Sequence, residues 1–231
     1  MNKIFVIDGT DGSGKKTQIK RIKERLIEKG IKVASFPFPN YSSLSSGPVR
    51  MYLEGEISQN PNDISNKAAS SFYAIDRYIT FQKDMKSIYN DNETIILLDR
   101  YTSANLIHQG SKIIAEYGFD TKKLDEFIDW VCNLEYHDLG LPKPTKTFFM
   151  NMPIEIVTEL IENRPDEITG NQTKDIHERD ISHLKNSLTS GLYTANKLNW
   201  YIVNCVNNGA LRSIEDINNE VFDEIMKEIN K

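Results

Sequence analysis

Four apolar residues, Ile4-Phe5-Val6-Ile7, run into Gly9-Thr10-Asp11-Gly12-Ser13-Gly14-Lys15-Lys16-Thr17 and then into a pattern of helical period. A strand that passes to a helix through three glycines has few ways to fold, because the turn lacks the Cβ atoms that would keep backbone N–H groups apart. Convergent N–H donors, with the partial positive charge at the start of the helix, make a cradle for phosphate oxygens, and Lys15 is placed to reach the terminal phosphates of a nucleotide. Asp11, Gly12, Ser13, Gly14, Lys15, Lys16 and Thr17 are therefore the expected contacts of a polyphosphate. In such loops the residue after the lysine is normally a serine or threonine whose hydroxyl ligates Mg²⁺. Here it is Lys16, and Thr17 lies about 100° further round the helix.

A chain of 231 residues suits one domain spanning 1–231 with a core of its own. A net charge of −5 speaks against a surface for nucleic acid, which demands a basic face. An anionic ligand must then be held by a local set of cations and N–H groups. The four histidines are scattered, so a zinc site is not expected. Cys132 and Cys205 have neither metal nor redox spacing, which suits a reduced cytoplasmic protein with incidental thiols. Neither a signal peptide nor a spanning apolar run is present, so no membrane association is expected.

Strand patterns at 3–8, 32–36, 94–98, 147–152 and 200–205 alternate with helical ones. They predict an α/β fold with a mainly parallel five-stranded sheet flanked by helices. The first helix places Ile19, Ile22 and Leu26 on one face and ends at Gly30. A second, over 121–134, carries Leu124, Phe127, Ile128 and Val131, and Ser213 with Asp216 form a capping-box-like start to the last. Two segments do not read as framework: 165–174, polar and glycine-containing like a mobile cover, and 36–47, rich in Pro and Ser.

Asp99-Arg100-Tyr101 follows the third strand, putting a carboxylate and a guanidinium where open α/β sheets bind ligands. Asp99 is placed to steer Mg²⁺ and Arg100 to fork phosphate oxygens; a buried Asp–Arg pair of structural value is the other reading. Tyr73 and Arg77, four apart on a helix, suit a nucleobase and its phosphate, or else a core aromatic beside a surface arginine. Arg164, Lys174, His177, Glu178 and Arg179 flank the polar segment. Arg164 and Arg179 are the cations expected to close over transferring phosphates.

Taken in order over nearly the whole chain, these motifs resemble thymidylate kinase, a P-loop nucleoside monophosphate kinase. Phe38-Pro39 is similar to the family's element after the second strand, Tyr73 and Arg77 to its aromatic-x-x-x-Arg pattern, Asp99-Arg100-Tyr101 to its Asp-Arg-Tyr signature, and His177-Glu178-Arg179 to part of its lid, here about 164–180. The resemblance implies transfer of the γ-phosphoryl group of ATP to dTMP, with Mg²⁺ as cofactor, in a homodimer. It places Lys15, Arg100, Arg164 and Arg179 in catalysis and Asp99 at the metal. Asp11, Phe38, Tyr73, Arg77, Arg100, Asn105, His108 and Gln109 fall on the acceptor, Tyr73 as the ring stacked on thymine and Asp11 as acceptor for the sugar 3′-hydroxyl. Besides Lys16, the chain departs from the family at Asn40, where many relatives have arginine, and at His108, where they are often aromatic.

Two other functions remain compatible with the residues: a kinase for another pyrimidine monophosphate, such as dUMP, and a nucleotide-binding protein with little turnover. A regulatory GTPase is disfavoured, because Asn196-Lys197-Leu198-Asn199 lacks the aspartate of a guanine reader.

Overall fold

The computed structural model describes residues 3–60, 63–162 and 181–231. Its centre is a fully parallel sheet in the order β2-β3-β1-β4-β5, formed by β1 (Ile4–Gly9), β2 (Val33–Pro37), β3 (Ile95–Asp99), β4 (Lys146–Asn151) and β5 (Tyr201–Asn204). The apolar run of β1 is continuous because both of its faces are covered. Phe5 and Ile7 meet Ile19, Ile22 and Leu26 of α1 (Lys15–Glu28) and Val221, Phe222 and Ile225 of α10 (Ile214–Ile229). Ile4 and Val6 point the other way, into a cluster with Phe38, Phe81, Met85 and Leu98. Each fully buried Phe, Ile or Leu of this kind contributes about 1.5–3 kcal/mol.

Around the sheet lie α2 (Gly47–Leu53), α3 (Asn66–Thr80), α4 (Lys86–Asn90), α5 (Thr102–Ala104), α6 (Gly110–Tyr117), α7 (Thr121–Cys132), α8 (Ile154–Glu162) and α9 (Ile181–Lys197). Wide π-helical turns join α3 to α4 (Phe81–Met85), join α5 to α6 (Asn105–Gln109) and prolong α7 (Asn133–Asp138). The helix expected over 121–134 thus changes pitch after Cys132. At the end of α1, Gly30 (φ 74°) turns the chain and the N–H of Ile31 reaches back to the carbonyl of Leu26. At the start of α10 the Ser213 side chain accepts from the N–H of Asp216, as its capping sequence predicts.

Four of the five strands begin one residue later than expected, and β4 begins one earlier. The ladder carries β1 and β3 into Gly9 and Asp99, which pair with Met150 and Pro37. Pro37 is tolerated there because β2 is an edge strand. The expectation that 36–47 lies outside the framework is corrected. Phe38, which precedes a cis bond to Pro39, is buried against Tyr101 with ring centroids 5.8 Å apart. Asp76 of α3, fully buried, takes the N–H of Asn40 at 2.8 Å and the Ser45 hydroxyl at 2.5 Å. A buried carboxylate needs such donors, and the loop supplies them. A small hairpin, β6 (Val206–Asn207) with β7 (Ala210–Leu211), was not expected. It turns at Asn208-Gly209, both at positive φ, a strong short signal for a two-residue hairpin.

The segment 164–180, with Arg164 and Arg179, lies outside the described residues. Among those described, no helix is long and apolar enough to cross a membrane.

Helix α9 approaches β4 closely at Gly191, where a Cβ would stand 2.5 Å from the Phe149 ring. Gly191→Ala is expected to lower stability by about 1–3 kcal/mol through overpacking, read as a lower urea midpoint at unchanged slope. An unchanged midpoint contradicts this close packing.

Candidate functional site

The loops leaving the carboxyl ends of neighbouring strands β1 and β3 meet at the top of the sheet. In the first loop, Gly9 lies so close to β4 that a Cβ would stand 2.9 Å from the carbonyl oxygen of Met150. Gly12 (φ 78°) and Gly14 (φ 81°) are left-handed, and Gly14 caps α1 with no side-chain hydrogen bond to its first turn. The first N–H groups of a helix have no intrahelical acceptor, so this end of α1 is suited to an anion. No acidic side chain occupies its first turn. Lys15 is buried and folds over the loop, its Nζ donating to the carbonyls of Gly9 at 3.0 Å and Thr10 at 2.7 Å. Burial, reinforced by Arg100, pulls its pKa below that of an ordinary lysine. Lys16 and Thr17 are exposed on α1.

In the second loop, Asp99 ends β3 opposite Ile7 and is half-buried. Arg100 takes a left-handed backbone (φ 64°), its N–H bonded to the carbonyl of Ile7, and its guanidinium forms an ion pair with Asp11 of the first loop. Its partner is therefore Asp11, not Asp99. Burial works against both charges. Even so, Arg100, with Lys15, holds the Asp11 carboxyl far below the usual range, and Asp11, Asp8 and Asp99 hold Arg100 above the ordinary arginine value. Tyr101 has a different role: fully buried, it donates from its hydroxyl to the carbonyl of Pro142 at 3.2 Å.

Two residues missed by sequence reasoning brace this junction. Asp8, fully buried at the end of β1, accepts from the N–H of Gly9 at 2.8 Å and from the Ser103 hydroxyl at 2.6 Å. Burial raises its pKa. An aspartate inside an otherwise apolar strand, directly before the glycine loop, was the available signal.

On the π-helical turn Asn105–Gln109, the buried atoms His108 Nε2 and Gln109 Oε1 have no hydrogen-bond partner among the described residues, nor does Thr10 Oγ1 in the glycine loop. Buried polar atoms of this kind are uncommon and mark places where a ligand can complete the hydrogen bonding. His108 stacks on His183, ring centroids 6.1 Å apart. Burial drives its pKa well below the ordinary histidine value despite the nearby Asp11. Tyr73 is half-buried on α3. Arg77, one turn on, is 1% exposed and does not lie on the surface: its guanidinium turns inward to a bidentate pair with Glu135. Asn105 joins that pair, donating to Glu135 at 2.9 Å and to the carbonyl of Ser70 at 3.0 Å. Phe38 serves as core packing.

The structure thus brings Lys15, Asp11, Asp99, Arg100 and His108 within electrostatic reach of one another and gathers Arg77 and Asn105 into a second, buried cluster. Among the described residues, no group of three or more His, Cys, Asp or Glu converges as a metal site. Burial lifts the Cys132 and Cys205 thiols to about 11 and about 12, too high for a nucleophile at neutral pH.

Comparison with known proteins bears directly on this geometry. A thymidylate kinase from Prochlorococcus marinus is 28% identical over 231 residues, covering 97% of this chain and 95% of that one. One from Plasmodium falciparum is 25% identical, covering 97% and 90%, and one from Mycobacterium tuberculosis is 24% identical, covering 77% and 78%. The family model described as thymidylate kinase matches residues 7–220. That match runs from within β1 to within α10 and takes in both loops of the junction, so the chain belongs to the thymidylate kinase family.

Proposed function

We propose that this protein transfers the γ-phosphoryl group of ATP to dTMP, giving ADP and dTDP. The observation that carries the reading is the junction itself: a glycine loop with a buried lysine, locked by Arg100–Asp11 to the end of the neighbouring strand β3, with buried polar atoms that lack partners among the described residues. Family membership and the relatives' names support the same reaction.

Phosphoryl transfer needs little covalent chemistry from a protein; it needs alignment and neutralisation of charge. The loop N–H groups and Lys15 would hold the donor phosphates, Lys15 exchanging the carbonyls of Gly9 and Thr10 for phosphate oxygens. Arg100, kept charged at any working pH, would offer its remaining N–H donors to the oxygens between donor and acceptor. Asp11, fixed by Arg100, stays an ionised acceptor beside the acceptor nucleotide and is suited to the sugar 3′-hydroxyl. His108 is held neutral and can donate or accept one hydrogen bond without adding positive charge.

Magnesium in such reactions rests mainly on phosphate oxygens and waters, with one or two protein carboxylates. Asp99, half-buried and within electrostatic reach of Lys15 and Arg100, fits that donor set, and no side-chain cage is required. When bound, the ion neutralises phosphate charge. Lys16 provides no hydroxyl for it, so Asp99 is the protein ligand in this reading. A cytoplasmic homodimer completes the proposal, resting on family resemblance and on unreactive thiols.

An ADP-release assay across dTMP, dUMP, UMP, dCMP, dAMP and dGMP tests the reaction. The highest kcat/KM is expected with dTMP, and tenfold preference for any other acceptor, about 1.4 kcal/mol, would overturn the reading. Lys15→Ala is expected to abolish transfer while leaving the melting temperature near that of the parent; normal turnover would contradict the role of the loop. Lys16→Thr restores a hydroxyl and is expected to lower the Mg²⁺ concentration giving half-maximal rate. A large loss of activity would instead show that the ammonium is needed.

His108 gives a pH signature. Its folded pKa lies below its unfolded value, so as pH falls below about 6.5 the unfolded chain takes up a proton that the folded one refuses, and stability drops. Between pH 7 and pH 5 the loss of urea stability is expected to be smaller in His108→Phe, the difference limited to about 1.4 kcal/mol per pH unit. Equal pH slopes in the two proteins would contradict a buried neutral imidazole.

A further inference from the structure

Ile22 and Leu26 of α1 share one apolar cluster with Ile217, Val221 and Phe222 of α10, and a polar chain runs through the interface between the two helices. Arg25 Nη1 donates to Asn218 Oδ1 at 2.8 Å. Asn218 Nδ2 donates to Gln18 Oε1 at 2.8 Å and to the Gln18 carbonyl at 3.3 Å, and Gln18 Nε2 donates to the carbonyl of Ile214 at 3.1 Å. Gln18 and Asn218 are buried. The direction of the chain is set at its charged end. Arg25, whose guanidinium also lies 3.8 Å over the Phe222 ring, can only donate. Asn218 therefore turns its oxygen to Arg25 and its nitrogen to Gln18, which has its own nitrogen left for Ile214. A satisfied polar chain inside an apolar interface adds little stability over apolar groups of the same volume; its best-attested use is to fix register.

We infer that Gln18 and Asn218 are positioning residues for the donor phosphates, a role that rests on the phosphate-loop reading above. Gln18 stands one turn after the loop, and its N–H bonds to the carbonyl of Gly14, the left-handed residue that caps α1. A slide of Gln18 along α10 therefore carries Gly14, Lys15 and the first N–H groups of α1 with it. On the side of β3 the loop is braced by Arg100–Asp11 and by Asp8–Ser103. The start of α1 has no side-chain cap of its own, and on the side of α10 the brace is Gln18. Its anchor is itself fixed. Ser213 caps α10, and Arg212 donates to the carbonyls of Asp216 and of Asn204, the last residue of β5. The helix that presents its N–H groups to phosphate is thus registered against the ends of β3 and β5. Asp11 is held by Arg100 and not by this chain, so the effect falls on the donor nucleotide and not on the acceptor.

The paired variant Gln18→Met with Asn218→Leu tests this, because it replaces both amides by apolar groups of similar size while Arg25 keeps its contact with Phe222. Removing both partners leaves neither amide unsatisfied, so the urea midpoint is expected to stay near that of the parent. Calorimetric affinity for an ATP analogue that cannot be hydrolysed, with Mg²⁺, is expected to fall about tenfold, inside the roughly hundredfold that a 1 Å misplacement can cost, with dTMP affinity within about twofold of the parent. An unchanged analogue affinity overturns the inference whatever happens to stability, as does an equal loss for the analogue and dTMP. Should the pair not fold, Gln18→Met alone leaves Arg25 on Asn218 and is read in the same way. A loss of about three- to tenfold for the analogue is then expected, and no loss overturns the role. Lys15→Ala separates this inference from the loop reading itself. If the parent binds the analogue and Lys15→Ala does not, an unshifted paired variant removes only Gln18 and Asn218. No binding by the parent, or equal binding by the parent and Lys15→Ala, removes both readings.

Discussion

The ion pair between Arg100 and Asp11 ties the turn after β1 to the turn after β3, and the rest of the site is arranged around it. Neither turn is at ease alone. The first spends three glycines on positive φ, and the second puts a non-glycine residue, Arg100, in the left-handed region, which costs about 1 kcal/mol or more. Adjacent parallel strands deliver both loops to one point, where the pair fixes them together. Asp8, accepting from Gly9 and from Ser103, makes the same connection from below. The cradle is thereby held in shape by polar contacts whose partners come from β1, β3 and α5.

The electrostatics of the site follow from this crowding. Lys15, Arg100, Asp8, Asp11 and Asp99 lie within one another's fields, and most are wholly or partly removed from water. Two cations stand among three carboxylates, so what the site offers phosphate is the directed donors of Lys15, Arg100 and the start of α1 rather than an excess of positive charge. Around Glu135 the arrangement differs: its carboxylate is saturated by Arg77, Thr102 and Asn105, while on the turn Asn105–Gln109 the atoms His108 Nε2 and Gln109 Oε1 have no partner among the described residues.

Much of this was legible in the chain. The apolar runs and the glycines located the sheet, the phosphate loop and α1, because period and φ requirements are local properties. Strand ends moved by a residue because pairing with a neighbour, as in Gly9 with Met150, continues past the apolar run. What was not legible depends on partners distant in sequence. Arg77 points inward because Glu135, 58 residues away, waits for it, and Asp8 is satisfied by Ser103, 95 residues away. The π-helical turns at Asn105–Gln109 and Asn133–Asp138 also escape a search for helical period, yet both carry residues of the site. The 36–47 segment looked like loop by composition, and only the buried Asp76 explains why it is framework.

The central claim is that the loop after β1 grips a triphosphate through its backbone and Lys15. A crystal structure with Mg²⁺ and an ATP analogue that cannot be hydrolysed tests it most directly. The account predicts the terminal phosphates on the N–H groups at the start of α1, with Lys15 Nζ moved from the carbonyls of Gly9 and Thr10 onto phosphate oxygens and the Arg100–Asp11 pair intact. A nucleotide bound elsewhere, or Lys15 still bonded to its own loop beside a bound triphosphate, would contradict it.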